Sequence, residues 1–253
     1  RRVVVSRWEG GCITEGDYGQ LEFRVAAELS GCKVALHDIK CGVDVHQYTA
    51  DTITAAGQVT SRQDAKAHTF KPLYGGMSGT PAEVSYYKSF IDKYRGIKAW
   101  HETICDRAVA TQRLVLPTGR TYKFPEATRT KYGYVTGSTK IKNYPVQGFA
   151  TADIVPCATI DVYNEMKRRD VKSVLINEVH DSIVVDTCPG EEKIIVDILA
   201  QSMLQVPDTM KRRFNYSLKV PMAVEIKQGI NWLDMGVVYE GSNDITLEET
   251  INE

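Results

Sequence analysis

The chain has 253 residues, 43% of them hydrophobic, and sets 31 Lys+Arg against 32 Asp+Glu for a net charge of −1. It is long enough to bury a sizeable core in one domain or two, and its overall charge excludes a uniformly basic or acidic surface as a guide to partners. Six cysteines, with no C-x-x-C pair and no His at zinc-ligand spacing, read as reduced thiols of a cytoplasmic protein; no signal peptide or bilayer-length apolar run is visible, so no membrane partner is expected.

In chain order, residues 12–16 read as a short strand, and "QLEFRVAAELSG" carries a helical pattern that stops at Gly31. Residues 44–56 and 60–75 read as helices separated by "GQVT", with Ser61 capping the second. A helical stretch over 82–112 breaks near Arg95-Gly96, and 113–125 reads as a short hairpin around Thr118-Gly119. From Arg129 to Lys142, "RTKYGYVTGSTKIK" holds four basic residues and two tyrosines with no acid. A solvated loop is the default for such a run; a phosphate-binding surface is the alternative. A long helix is predicted from 146 to 169, strained by Pro156. "NEVHDSIVVD" (177–186) reads as two strand runs interrupted by His180 and Asp181, an amphipathic helix follows over 191–204, and the chain closes with the β-like "LKVPMAVEIKQG". Strands at both ends and helices between them predict an α+β fold, a sheet-based domain with a helical insertion.

The interruption at His180-Asp181 is either an ordinary turn or a device that holds a carboxylate at the edge of a sheet. Its candidate partner is Asp17 in "EGDYGQLEFR", with Glu22 five residues on. Taken alone, Asp17 reads as a helix cap and Asp181 as a turn residue. Taken together at strand ends of one sheet, they suit a pair of Mg²⁺ ions of the kind used in phosphoryl transfer. In "SRQDAKAHTFKPLYGG", Arg62, Lys66, Phe70 and Tyr74 recur every four residues, forming a slowly winding stripe on one helix face. Cations at one end and aromatics at the other suit a triphosphate and a stacked base. A solvated helix with chance aromatics leaves that order unexplained.

These motifs resemble, in order, those of family A DNA polymerases, the bacterial polymerase I type, in a divergent form expected of a virus or phage. "DYGQLEFR" is similar to the family's D-Y-S-Q-I-E-L-R, the Arg62–Tyr74 stripe to its fingers-helix motif, and "VHDSIVVD" to its V-H-D-E-L-V. "DVHQYTA", "TGRTYKFP", "NYPVQGFATADI" and "GINWLDM" supply further matches, so the likeness spans residues 17–235. It implies a polymerase palm, an antiparallel sheet with flanking helices, over 1–40 and 126–253, with an inserted helical fingers subdomain over 41–125. It implies template-directed addition of dNTPs to a primer 3′-hydroxyl on primer–template DNA, with two Mg²⁺ ions held by Asp17, Asp181 and the Tyr18 carbonyl. One ion would activate the primer hydroxyl and the other clamp the triphosphate. His46, Arg62 and Lys66 would stabilise phosphate charge, Arg62 and Lys66 counting with the aspartates as catalytic. Phe70 would pack on the nucleotide, and Tyr74 would pair with Glu22 under the sugar. Asn143, Gln147, His180 and Arg24 are the implied DNA contacts.

The sequence departs from the family pattern in places. Ser182 stands where the family has Glu after His-Asp, so an accessory carboxylate is absent there, and Pro72 interrupts the fingers helix. The chain begins "RRVVV" just before the first motif, so a fragment without thumb or exonuclease is expected, with an upstream segment or a separate subunit supplying them. A single-subunit RNA polymerase shares several of these motifs, and a Ser after His-Asp resembles that class; Glu22 opposes it, since a carboxylate beneath the sugar crowds a 2′-hydroxyl. A metal nuclease leaves the Arg62–Tyr74 stripe unexplained. An inactive polymerase-like nucleic-acid-binding module is opposed by the retained aspartates and favoured by Ser182 and Pro72.

Overall fold

The computed structural model describes residues 1–243. The chain runs β1 (Cys12–Tyr18), α1 (Leu21–Ser30), α2 (Lys33–Lys40), α3 (Val45–Ala55), α4 (Arg62–Thr69), a 3₁₀ turn (Pro72–Tyr74), α5 (Pro81–Lys93), α6 (Arg95–Thr111), β2 (Arg113–Val115), β3 (Thr121–Lys123) and α7 (Ser138–Gln147). A π-helical stretch (Gly148–Ile154) then leads into α8 (Val155–Arg168), β4 (Val174–Val179), β5 (Ser182–Thr187), α9 (Glu192–Leu204), α10 (Val206–Phe214), β6 (Ala223–Gly229) and β7 (Met235–Ser242). These elements form two compact units. One comprises Arg1–Leu21 and the described residues from Ala150 onward, the other Glu22–Phe149. No described helix is long and apolar enough to cross a membrane.

The first unit is built on a five-stranded sheet of order β4-β5-β1-β6-β7, antiparallel throughout. In β1 the sequence "TEGDY" alternates, so Thr14, Gly16 and Tyr18 are buried while Glu15 and Asp17 take the other face, half-exposed. Helix α9 covers the buried face, packing on β1 and β6, with α8 against it. Gly16 admits that approach, since a Cβ there would lie 2.8 Å from Met203 Sδ, and the Tyr18 hydroxyl donates to the Met203 carbonyl at 2.8 Å. The apolar runs flanking His180-Asp181 are β4 and β5, joined by those two residues, with His180 in the left-handed region at φ +56°.

The second unit is mostly helical. Phe23, Tyr86, Phe90 and Tyr94 meet edge to face, with ring centroids between 4.7 and 6.4 Å apart. A second core joins Ile104, Ala108, Leu114, Phe124 and Ile141, under the predicted hairpin, which is β2–β3. The predicted insertion spans 41–125, but the compact unit also takes in most of α1, α2 and α7. Phe23 of α1 belongs to the aromatic cluster and Ile141 of α7 to the second core, and burial of those side chains sets where the unit ends.

Two predicted helices differ from the observed ones. The helix expected over 60–75 ends at Thr69, and Pro72 opens a separate 3₁₀ turn. Proline lacks the donor a continuing helix requires. Ser61 does cap α4, its hydroxyl accepting from the Asp64 amide. The helix expected over 146–169 is instead α7, the π-helical stretch and α8. Pro156 lies where the π-helical stretch passes into α8, and its lack of an N–H removes a donor from that continuous run. Helices α2 and α10 and strand β7 have no counterpart in the sequence reading, and α7 begins at Ser138, inside the segment read as a loop or phosphate-binding surface.

The β6–β7 connection explains the "GINW" spacing. The Asn231 side-chain carbonyl accepts from the Leu233 and Asp234 amides, each at 2.8 Å, closing a tight turn. A Cβ on Gly229 would lie 2.1 Å from the Asp234 carbonyl oxygen, which is backbone and has no rotamer to escape into. Gly229→Ala is therefore expected to lower stability by about 1–3 kcal/mol, the usual cost of overpacking, read as a lower urea midpoint at unchanged slope.

Candidate active site

The predicted site residues fall into two groups, one in each unit. In the first unit, the pairing of β1 with β5 sets Asp17 opposite Ser182, one residue past Asp181. The Tyr18 amide donates to the Asp181 carbonyl at 3.2 Å, tying the hairpin turn to the end of β1. The Asp17 and Asp181 side chains share a hydrogen bond. Burial, then the charge of Asp181, then that of Glu15, push the Asp17 carboxyl up to about 7, with Lys227 opposing. His180 is exposed at the turn, while Ser182 is buried and donates to the Val179 carbonyl at 3.1 Å. The residue at the accessory position is thus a satisfied hydroxyl that brings no charge.

Other charged residues share this sheet face. Register pairs Glu15 with Lys227 and Asp17 with Glu225, and Lys227 forms an ion pair with Glu225. The Trp232 indole N–H donates to Glu15 Oε1 at 2.9 Å. Sequence reading missed Glu15, Glu225, Lys227 and Trp232. Alternation in "EGD" and "EIK" places each pair on one face, but only the β1–β6 register unites them. Among the described residues, no cluster of three or more His, Cys, Asp or Glu side chains is arranged to hold a metal ion by itself. Two carboxylates fit a hard cation whose remaining ligands come from backbone carbonyl, water and substrate oxygen.

In the second unit, Arg62 and Lys66 lie on α4, with Phe70 as its C-cap residue. Arg62 Nε pairs with Asp44 Oδ2 at 2.6 Å. Asp44 also caps α3, its Oδ1 accepting from the His46 and Gln47 amides at 3.0 and 3.1 Å. Sequence reading did not single out this bridging role. Lys66 is exposed. His46 Nδ1 lies 3.0 Å from the Thr69 hydroxyl, and its ring meets that of Phe70 edge to face at 5.3 Å. Burial lowers the His46 pKa, Arg62 and Lys66 reinforce the effect, and Asp44 opposes it. Although Tyr74 lies beyond α4, its hydroxyl donates to Glu22 Oε2; burial and the Glu22 charge keep the phenol protonated. Arg24 and Asn143 are half-buried on α1 and α7, and Gln147 is exposed at the end of α7.

Residues 1–234 match the model of DNA polymerase family A. The chain belongs to that family. DNA polymerase I of Caldicellulosiruptor bescii is 29% identical across 92% of this chain, and that of Lactococcus lactis 30% identical across 88%. The matched regions are 28% and 26% of those proteins, so this chain spans about a quarter of the length of these family A relatives. Among solved structures, the POL domain of Pol1 from M. smegmatis, in complex with DNA primer-template and dNTP, aligns over 90% of this chain and 41% of its own. The TM-score is 0.73 at 24% identity, a likeness of fold.

The raised Asp17 pKa has a signed consequence for this family A chain without added metal. Between about pH 4, where the unfolded carboxyl loses its proton, and about pH 7, where the folded one does, the folded state binds more protons. The contribution of Asp17 to stability falls as pH rises through that window and stays lowered above it. Asp17→Asn removes this contribution. The variant is expected to gain on the wild type by about 1–3 kcal/mol between pH 4 and pH 8, measured by urea unfolding in chelator. A stability difference independent of pH would show that the pair does not hold the proton.

Proposed function

We propose that the chain is the polymerising part of a DNA-directed DNA polymerase, adding dNTPs to a primer 3′-hydroxyl on a primer–template. The observation that carries this reading is the Asp17–Asp181 carboxylate pair, held together by adjacent strands in a chain of family A. Asp17 and Asp181, with the Tyr18 carbonyl, would hold two Mg²⁺ ions. When bound, these supply charge neutralisation and a lowered pKa for the attacking hydroxyl.

The protein groups have separate tasks. Arg62 and Lys66 would receive the triphosphate, Arg62 exchanging its ion pair with Asp44 for phosphate oxygens. His46, braced by Thr69, would direct its ring to the same phosphates, and Phe70 would offer a stacking face. Tyr74 fixes the Glu22 carboxylate, which would lie beneath the sugar and exclude a 2′-hydroxyl. That hydrogen bond favours the DNA polymerase reading over the RNA polymerase one. His180, Arg24, Asn143 and Gln147 would contact the nucleic acid. An upstream segment or a separate thumb-bearing subunit is the further partner of this reading, supported by the greater length of the relatives.

Asp17→Asn and Asp181→Asn are each expected to lower primer extension at least about a thousandfold, the scale of removing electrostatic stabilisation from a transition state. Duplex affinity should change little, since phosphate contacts dominate it. Near-normal extension by either variant would overturn the assignment. Glu22→Ala is expected to admit ribonucleotides at least about tenfold more readily, the scale of steric discrimination in a pocket. An unchanged ratio of dNTP to rNTP incorporation would return Glu22 to the status of an ordinary helix residue.

A further inference from the structure

The segment singled out in the sequence as basic, aromatic and free of acid has no part in the reading above, and its structure is specific. Residues 128–136 form a small hairpin. Arg129 bridges Val135, the Thr136 amide donates to the Thr128 carbonyl at 2.9 Å, and the Thr130 amide to the Tyr134 carbonyl at 2.8 Å. Gly133, at φ +84°, makes the reversal. The base is anchored, with Ala127 buried in the second core and Val135 packed against it. Arg129 pairs with Asp106 of α6 and also donates to the Gly133 carbonyl at 2.8 Å.

On this pinned base stand Tyr132 and Tyr134, 74% and 75% exposed. Rings so exposed contribute almost nothing to folding, and a hairpin needs neither of them to close. Lys131 Nζ lies 5.0 Å from the Tyr132 ring, so a cation accompanies one aromatic face. No acid occurs from Ala127 to Ala152, whereas Lys131, Lys140 and Lys142 do. Tyr134 also stands at the rim of a cleft of about 820 Å³, lined by Lys88, Lys98, Arg129 and Lys142. Asp92, Glu102 and Asp106 line it too; Arg129 and Asp106 engage each other, which leaves three lysines against two acids.

We propose that the 128–136 hairpin is a docking platform for single-stranded DNA, Tyr132 and Tyr134 stacking on unpaired bases while Lys131 and the cleft lysines take the backbone phosphates. Aromatic faces beside mobile cations are the chemistry of sequence-tolerant single-strand binding, because every base has a face to stack and every nucleotide a phosphate. A folded protein partner would be expected to meet a buried apolar centre, which this hairpin lacks; its apolar side chains are spent on the second core. Resting on the polymerase reading, the strand in question is the unpaired template.

The test is fluorescence anisotropy of the whole chain with a labelled oligothymidylate of about 15 nucleotides, no nucleotide present, and a blunt duplex as comparison. The double variant Tyr132→Ala/Tyr134→Ala is expected to weaken single-strand binding at least about fivefold, with Tyr132→Phe/Tyr134→Phe near wild type and duplex affinity unchanged. Lys131→Gln/Lys142→Gln should make the salt dependence of single-strand binding shallower, by a slope of about one unit or slightly more. Unchanged oligothymidylate binding in the double alanine variant would overturn the proposal, as would an equal loss for oligothymidylate and duplex. Primer extension on the same protein keeps the readings apart. Absent extension with tyrosine-dependent strand binding would remove the polymerase reading alone; normal extension with tyrosine-independent binding would remove the platform alone.

Discussion

Two carboxylates in hydrogen-bond contact repel each other when both are ionised, and the rest of the first unit is arranged around keeping Asp17 and Asp181 there. Strand pairing supplies the force. β1 lies at the centre of the sheet, bonded on both edges, so Asp17 cannot swing away without breaking a ladder that α9 covers from behind. The hairpin turn is fixed to β1 through the Tyr18 amide, and His180 accepts a left-handed backbone to make the turn. Burial first, and then the repulsion that remains, raise the pKa of Asp17, and Lys227 is the cation that opposes the rise. Such a pair is poorly stable by itself and suited to an added positive charge.

The cation group of the second unit follows the opposite logic. Arg62 is held by Asp44, itself fixed by two backbone amides at the start of α3. An exposed ion pair of this kind contributes little to stability, but it keeps the guanidinium directed and available for exchange. His46 is braced through Thr69, and Glu22 through Tyr74. Arg62, His46 and Glu22 are thus each oriented by a neighbour rather than left to their own rotamers, which limits the entropy lost when a ligand arrives.

Pro72 shows how a local rule and a tertiary contact are reconciled. The helix stops before it, as proline requires, yet Tyr74 still reaches Glu22 because the 3₁₀ turn restarts the chain at once. The stripe of four residues is therefore carried by two elements, with Phe70 at the junction. Pro156 is accommodated differently. It follows the π-helical stretch closely, so the change of helix type falls where its N–H is missing.

By itself the sequence determined the residue types, the motif order and most local elements. Period-two alternation in "TEGDY", the cap at Ser61, the break read near Arg95-Gly96 and found at Tyr94, and the reversal at His180-Asp181 are short-range consequences of side-chain chemistry and could be read without a fold. The tertiary structure decided the register. Glu225 and Lys227 join Glu15 and Asp17 only because β1 pairs with β6 in one alignment, and a slip of one residue would turn both to the other face. It also decided the partners of the cations, since Asp44 meets Arg62 through the packing of α3 against α4. Contacts between residues far apart in the chain depend on how apolar surfaces pack, and no local pattern encodes that packing.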